Sequence, residues 1–205
     1  MFRLRFGGRV VNPAVKEVKM RHRRADVVAR ALDLLGEVGL PALTMRRLGV
    51  ELGVQPSAIY HHFPNKQALL GAVADEIIAR GPQGTAAADA PWDEQVGARC
   101  AELREAVLTY QDGADVVASM WAFGLGGQAP YDRLVTVLEG GGLDLELART
   151  AARTLLHFVY GHAIDEQVHA QAARLGVIDS QPRGKGDFEA GLAIVVAGIS
   201  ARLDG

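Results

Sequence analysis

The feature that most constrains this chain is the spacing of its apolar residues, which recur every three to four positions along most of the sequence. Val27, Ala31 and Leu34 open the first such series. No stretch alternates apolar and polar residues with the period of two that a half-buried strand needs. Aromatic residues make up only 6% of the chain although hydrophobic residues reach 49%, so small and aliphatic side chains must fill the core. The pattern predicts an all-α fold.

Glycine, proline and capping residues predict where the helices begin and end. Two short helices are expected to meet across Gly53-Val54, and together they form a helix-turn-helix. Thr44 and Asn65 are predicted N-caps. The predicted helical segments are 24–39, 44–53, 55–63, 65–81, 92–110, 113–123, 131–138, 144–175 and 188–203.

The charges are divided unequally along the chain. Residues 1–80 contain 13 Lys and Arg against 7 Asp and Glu, whereas residues 81–205 contain 9 against 17. A basic N-terminal part attracts phosphate and is typical of a nucleic-acid binder, and an acidic remainder should face away from the nucleic acid. The alternative is a charge bias that only aids solubility.

Composition and the positions of glycine and proline also predict the domain organisation. Residues 1–23 are expected to be a basic flexible arm, and residues 24–80 a helix-turn-helix domain that includes a connecting helix. Residues 81–91, rich in Gly, Pro and Ala, are predicted to be a linker, and residues 92–205 a second helical domain.

The sequence disfavours a membrane-spanning protein and a secreted one. The longest run without a charged residue, 116–131, has 16 residues, and a membrane-spanning helix needs about 20. The N-terminus lacks the apolar segment of a secretory signal. Because a lone Cys100 cannot form an intrachain disulfide, we expect a cytoplasmic protein. We also expect no membrane partner and no cofactor.

The second short helix of a helix-turn-helix enters the major groove of DNA with its N-terminal residues leading. Ile59 and Phe63 are expected to face the core, which leaves the other side chains of this helix outside. Gln55 can hydrogen-bond base edges, Ala58 can touch a thymine methyl group, and Tyr60 can donate to a phosphate. The predicted DNA-binding residues are Arg46, Gln55, Pro56, Ser57, Ala58, Tyr60, His61, His62 and Lys66.

Four short motifs accompany this helix: Leu43-Thr44, Leu48-(x)3-Leu52-Gly53-Val54, Tyr60-His61-His62-Phe63 and Asn65-Lys66-(x)2-Leu69-Leu70. Together they resemble the DNA-binding domain of the TetR family of bacterial transcriptional regulators. The resemblance implies a homodimer that binds a palindromic double-stranded DNA operator and is released by a small-molecule effector. It implies a transcriptional repressor and not an enzyme. Ser57 departs from the family, because many relatives have Gly at that position.

The C-terminal part carries its own ordered motifs: Pro91-Trp92-Asp93, Asp112-Gly113-Ala114-Asp115-Val116, Leu156-His157-Phe158-(x)2-Gly161 and Asp165-Glu166-Gln167-(x)-His169. They resemble the drug-binding domain of the tetracycline-repressor branch of the same family. The resemblance implies that residues 92–205 bind ligand and dimerise. The ligand-binding residues that it implies are Arg99, Leu103, Val117, Trp121, His157 and Asp165.

Two departures from that branch bear on the ligand. Val117 replaces a histidine that binds the drug-chelated magnesium ion, and Arg99 replaces an asparagine that touches the drug. Because valine offers no lone pair, we predict a small organic effector bound without an obligatory magnesium ion, and no metal site. If Arg99 faces the cavity, it should pair with a wall carboxylate such as Asp165 or meet an anionic or carbonyl-rich group of the ligand. The alternative is an Arg99 side chain that points to solvent.

Small residues that allow close helix approach predict a four-helix dimer seam. They are Ala148, Ala151, Ala152, Gly191, Ala193, Ala197 and Gly198.

Two other functions compete with this interpretation. One is a DNA-binding regulator without a small-molecule ligand, whose C-terminal domain would have no cavity. The other is a helical metal-dependent hydrolase, because His162, Glu166 and His169 share one helix face and could hold a divalent metal. The sequence lacks the HExxH order, and the alternative for these three residues is the polar face of a long helix.

Overall fold

The computed structural model describes residues 23–87, 89–179 and 185–203. Within these ranges the chain is helical and contains no strand, which confirms the all-α prediction. The helices are α1 (Arg24–Ala42), α2 (Met45–Glu51), α3 (Pro56–Tyr60), α4 (Lys66–Arg80), α5 (Trp92–Leu108), α6 (Gly113–Ala122), α7 (Ala129–Gly140), α8 (Leu145–Arg174) and α9 (Lys185–Ser200). The predicted arm lies outside the described residues except for Arg23.

Side-chain caps fix the helix starts that the sequence predicted. The Thr44 hydroxyl accepts a hydrogen bond from the Arg47 amide at 3.1 Å, and the Asn65 carbonyl oxygen accepts one from the Ala68 amide at 2.8 Å. Each cap satisfies a backbone donor that the first helical turn leaves without a partner.

The first four helices form an N-terminal unit around one apolar core. Leu32, Leu48, Ile59 and Phe63 are all buried in it. Gly39, where the first predicted helical segment ends, adopts φ +75° and ψ 172° and kinks α1, which continues to Ala42. The helix-turn-helix prediction is therefore confirmed down to its core residues.

Two glycines determine the turn between α2 and α3. Gly53 adopts φ +64°, a conformation that glycine enters without steric cost. Gly49 lies against the turn, since a Cβ atom there would be 3.0 Å from the Val54 carbonyl oxygen. The Val54 amide donates to the Gly49 carbonyl at 2.9 Å, which closes the turn.

The last five helices form a C-terminal bundle, and α4 packs directly against it. Gly71 of α4 meets the α6–α7 loop (residues 123–128), where a Cβ atom would collide with the Leu125 carbonyl oxygen. In the same loop the Gly127 amide donates to the Asp75 carboxylate at 2.8 Å. Helix α4 thus joins the two halves of the molecule by backbone contact as well as by side chains.

The predicted dimer seam divides into two sets of residues. Ala148, Ala151 and Ala152 are buried inside the bundle of a single chain, so their assignment to a seam between chains was wrong. They pack there because α7 lies against this part of α8. On α9 the side facing away from the bundle is apolar and exposed, with Ala193 and Ala197 beside Ile194, which is 74% exposed.

Candidate nucleic-acid interface and ligand cleft

Helix α3 presents a polar edge held by buried apolar residues. Ile59 and Phe63 are each only 1% exposed, whereas Tyr60, at the end of the same short helix, is 49% exposed. Gln55 precedes the helix at its N-cap, and Ser57 lies in its first turn, both exposed. Because the buried pair fixes the rotation of α3, these side chains are displayed in one orientation.

The other predicted DNA-binding residues flank this edge. Arg46 on α2 is exposed, as are His61 and His62 directly after α3. Pro56 and Ala58 are half-buried. The assignment of these residues to DNA stays a prediction, and their positions agree with it.

Acidic side chains near the helix-turn-helix are neutralised within the N-terminal unit. Arg30 of α1 donates to Glu37 at 2.8 Å and to Glu51 at 2.6 Å. The hydrogen bond from Arg30 holds the pKa of the Glu37 carboxyl below its ordinary value. The pairing ties α1 to α2 and reduces the repulsion that the two carboxylates would exert on a phosphate.

Lys66, whose assignment to DNA stays a prediction, is also tied to the N-terminal unit. Its Nζ atom donates to the Leu40 carbonyl at 3.3 Å, the side chain is half-buried, and burial lowers the pKa of its ammonium group. The same residue, Leu40, donates its amide to the Asp112 carboxylate at 2.7 Å. Lys66 therefore belongs to a junction between α4, the end of α1 and the loop before α6.

A cleft opens between α4, α5 and α7. It is shallow and narrow: the space that can hold the centre of a water molecule is about 20 Å³. Two residues predicted to bind ligand, Arg99 and Leu103, line it. The cleft is lined by Ile78, Pro82, Gln83, Arg99, Glu102, Leu103, Ala106, Pro130 and Arg133.

A buried carboxylate organises one wall of the cleft. Glu102 is only 5% exposed, and it accepts hydrogen bonds from the Thr85 amide at 2.6 Å and the Thr85 hydroxyl at 2.7 Å. Arg99 Nη1 donates to its other oxygen at 3.0 Å. Burial raises the pKa of Glu102, but the hydrogen bonds from Thr85 and Arg99 outweigh burial and leave the pKa below its ordinary value. Glu102 is consequently ionised, and it fastens the segment before α5 to the bundle.

Arg99 thus lines the cleft, as one of the two alternatives predicted, and it pairs with a wall carboxylate as expected, although the carboxylate is Glu102 and not the Asp165 named as the example. The guanidinium pairs with Glu102, three residues along the same helix, instead of with Asp165. Asp165 is exposed on α8. An i,i+3 pair on one helix is close enough to form without any tertiary contact.

The remaining predicted ligand residues lie apart from this cleft. Val117 is fully buried in α6. Trp121 contacts His157 edge-on with ring centroids 5.6 Å apart, and it also meets Tyr131 at 6.4 Å. Of the six predicted residues, Arg99 and Leu103 line the cleft, Trp121 contacts His157, and Val117 lies one turn before Trp121 on α6.

A second groove, with an empty volume of about 800 Å³, runs between α1 and the C-terminal half of α8. Tyr110, Gln111 and Asp112 line it together with Gln167. Gln167 Nε2 donates to the Tyr110 carbonyl at 2.8 Å, which ties α8 to the loop before α6.

The three residues of the hydrolase alternative do not form a metal site. Glu166 accepts a hydrogen bond from Arg104 Nη2 at 2.5 Å, and His162 Nδ1 is 3.8 Å from the same carboxylate. No group of three or more His, Cys, Asp or Glu side chains in the described ranges is arranged to hold a metal ion. Arg104 takes the place that a cation would need.

Sequence reasoning missed most of the cleft. Glu102 could have been found from its i,i+3 spacing to Arg99. Thr85 lies in a segment that looked like a featureless linker, and Arg133 on α7 is remote in sequence from every ligand motif. Only the tertiary fold brings Arg133 to the cleft and Thr85 to Glu102.

Helix α3 is exposed, follows a tight turn and is held by buried residues, and α4 joins it to a bundle with a cleft. These features define the class of helix-turn-helix regulators. The chain belongs to the TetR family of bacterial regulatory proteins: residues 27–73 match the family's N-terminal model, and residues 85–181 match the tetracycline repressor-like C-terminal domain. None of the described helices is both long and apolar enough to cross a membrane.

Three relatives illustrate the similarity. The class A tetracycline repressor of Escherichia coli transposon 1721 is 34% identical over 86% of this chain and 89% of its own length. BioQ of Mycobacterium smegmatis is 38% identical, with a TM-score of 0.81 over 88% of this chain and 98% of that chain. A structure of BioQ with its natural double-stranded DNA operator matches at 36% identity and a TM-score of 0.74, covering 88% and 99%. A single-residue variant of TetR from Acinetobacter baumannii, in complex with minocycline, is 27% identical with a TM-score of 0.70, covering 89% and 98%.

Proposed function

We propose that this chain is a transcriptional repressor that binds a palindromic DNA operator as a homodimer and is released by a small organic effector. The observation that carries the proposal is helix α3, whose exposed Gln55, Ser57 and Tyr60 are held in one orientation by buried Ile59 and Phe63. BioQ, with the same architecture, has been solved on its operator. We divide the chain into a DNA-binding domain at 24–80, a linker at 81–91 and an effector-binding and dimerisation domain at 92–205.

The dimer is formed by α8 and α9 in this proposal. The outer face of α9 is apolar along Ala193, Ile194 and Ala197, and all three residues are exposed in the single chain. Burying such a face against a second copy removes apolar surface from water. Two recognition helices then read half-sites separated by about one turn of DNA, roughly 34 Å.

The effector acts through α4. Helix α4 begins directly after the α3 segment and ends at the cleft, where Ile78 is a lining residue. Between these ends it contacts the α6–α7 loop through Gly71 and Asp75. A ligand that prefers the bundle with α4 displaced shifts the population of dimers toward a spacing of recognition helices that no longer fits the operator.

Magnesium is not required in this mechanism. The position that holds the metal in the tetracycline-repressor branch is Val117, which is fully buried and whose side chain has no atom that could coordinate a cation. The residues present therefore do not fit the metal-chelated drug, and we assign the cleft to an effector that binds without a metal ion. A regulator without ligand control is the alternative.

The test is selection of binding fragments from random double-stranded DNA, followed by fluorescence anisotropy with the selected sequence. We expect a palindrome. Gln55→Ala should change the preferred base at one position in each half-site, and Arg46→Gln should weaken binding to all sequences and lower the salt slope by about 1. Arg149→Gln, on the exposed surface of α8, is the matched control and should bind DNA as the wild type does. Failure to select any sequence, or equal effects of Arg46→Gln and Arg149→Gln, would refute the assignment of this interface.

A further inference from the structure

The first 22 residues of the chain, called the N-terminal segment below, carry an excess of positive charge. Its only acidic residue is Glu17. Its Lys and Arg residues are Arg3, Arg5, Arg9, Lys16, Lys19 and Arg21. The structure of the segment lies outside the described residues, but the residues that follow it are described. Its charge attracts a polyanion, and the point where it joins the folded chain indicates which one.

The N-terminal segment joins the folded chain beside the end of α3. Arg24, the first residue of α1, lies over the ring of Phe63, with 4.6 Å between the guanidinium carbon and the ring centroid. Phe63 directly follows the exposed His61 and His62 at the end of α3. Arg24 is itself exposed. The segment therefore starts next to the helix that we assign to the major groove.

The acidic side chains of the two nearest helices in sequence already have partners. The Asp and Glu residues of α1 and α2 are Asp26, Asp33, Glu37 and Glu51. The Asp26 carboxylate accepts a hydrogen bond from the Arg23 amide at 2.6 Å. Each of the other three carboxylates lies between 2.6 and 3.9 Å from the guanidinium of Arg30. Neither helix offers the segment a carboxylate that is free of another partner, whereas DNA beside α3 offers phosphates.

We propose that the N-terminal segment binds the phosphate backbone of the DNA beside the groove that α3 enters. The location of the DNA rests on the proposed function, and the contact with the segment goes beyond it. Lys and Arg that meet phosphates release counterions and bind all sequences alike. A segment of 22 residues can extend over at most about 75 Å, which exceeds the major-groove width of about 12 Å. The interface thus has two parts, α3 for sequence and the segment for affinity.

The test compares full-length proteins by fluorescence anisotropy on two duplexes, the selected operator and a random sequence of the same length. Salt is varied between about 50 and 200 mM. The neutralised variant combines Arg3→Gln, Arg5→Gln, Arg9→Gln, Lys16→Gln, Lys19→Gln and Arg21→Gln. We expect it to bind both duplexes about 10-fold or more weaker at the lower salt concentration. The slope of log affinity against log salt should fall by about 2 or more, because each phosphate contact contributes about 0.9 and a dimer has two segments.

Two control variants separate this charge effect from an effect on α3. A variant with residues 2–22 in shuffled order keeps the composition and charge of the segment, so it should bind both duplexes as the wild type does. Gln55→Ala should weaken binding to the operator and leave binding to the random duplex unchanged. The neutralised variant should instead keep the wild-type ratio of operator to random affinity. Circular dichroism should show that every variant is folded.

Three outcomes would overturn the proposal. The first is a wild-type affinity and salt slope in the neutralised variant, and the second is a loss confined to the operator. The third is tighter binding by the neutralised variant, which would indicate that the segment pairs with the acidic residues of the bundle instead. A wild type that selects no operator would refute the proposed function, while the comparison on the random duplex would still decide whether the segment binds DNA.

Discussion

Asp112 and Leu40 are joined by a hydrogen bond of 2.7 Å that runs from the loop before α6 to the end of α1. Asp112 is the one residue other than glycine with positive φ in the described ranges, at +56°. That conformation is unfavourable for any residue with a side chain, although Asp and Asn adopt it more readily than most. The Asp112 carboxylate thus links the two halves of the molecule. Its backbone conformation is unfavourable and must be stabilised by the surrounding contacts.

Replacing Asp112 should uncouple the N-terminal unit from the bundle. Asp112→Ala removes the acceptor and keeps the strained backbone, so the free energy of unfolding should fall by about 1–3 kcal/mol. Asp112→Asn retains an acceptor and tolerates positive φ, and it should lose less than half as much. Urea denaturation of the two variants measures the difference. Equal losses in both would contradict a role for the hydrogen bond.

The packing of α4 should be sensitive to a single methyl group. Gly71→Ala drives a Cβ atom into the Leu125 carbonyl and should destabilise the protein by about 1–3 kcal/mol, as overpacking does. Gly97→Ala, on α5, is the control: a Cβ atom there meets nothing within 4 Å, and alanine is the better helix former by up to about 1 kcal/mol. Thermal unfolding should therefore shift in opposite directions. If Gly71→Ala were as stable as Gly97→Ala, the α6–α7 loop would have to move aside without a cost in free energy.

The stability that Glu102 contributes should depend on pH. Its pKa is lower in the folded protein than the ordinary value, so its contribution is present above the ordinary pKa of about 4.3 and is lost as the pH falls through the lowered pKa. Glu102→Gln should reduce the free energy of unfolding by about 1–3 kcal/mol at pH 7. The gap to the wild type should narrow as the solution is acidified.

Glu146→Gln is the control for this pH dependence. Glu146 pairs with Arg149 at 2.9 Å, but its side chain is 84% exposed. Exposed pairs contribute little, so this variant should match the wild type within about 0.5 kcal/mol over the same pH range. If the difference in the free energy of unfolding between Glu102→Gln and the wild type were the same at all pH values, the ionised form of Glu102 would contribute no stability.

The outer face of α9 should decide the oligomeric state. Ile194→Asp places a carboxylate in the middle of the proposed interface, where burial without a partner is unfavourable, and should turn the dimer into a folded monomer. Ala101→Asp, on the exposed side of α5, should leave the dimer intact. Sedimentation velocity at micromolar concentration measures both. A wild type that sediments as a monomer would contradict the dimer itself.

The fold was largely predictable because local signals mark its elements. Caps at Thr44 and Asn65, the glycine at position 53 and the apolar periodicity of α1 act within a few residues of one another, and all were read correctly. The helix-turn-helix core, Ile59 and Phe63, follows from the same periodicity. What local patterns cannot show is which neighbour a residue of α8 meets, and this is why Ala152 was assigned to the wrong interface.

The cleft was less predictable for a related reason. Arg99 and Leu103 were identified through the family resemblance, but the partner of Arg99 was not. Trp121 and His157 contact each other but do not line the cleft that contains Arg99, and their role in ligand binding stays a prediction. Position in an alignment gives no information about which carboxylate is nearest, because that depends on the rotamer of a long side chain and on the path of the segment around Thr85.

The contact of Gly71 with the α6–α7 loop is made by main-chain atoms on both sides. Main-chain atoms are the same for every amino acid, so this junction places no demand on the side chains that line the cleft a short distance away. Descendants of such a protein can exchange cleft residues, and with them the compound that is sensed, while the connection to the DNA-reading helix stays intact. New chemical specificity can therefore evolve in this scaffold by substitution at the cleft alone.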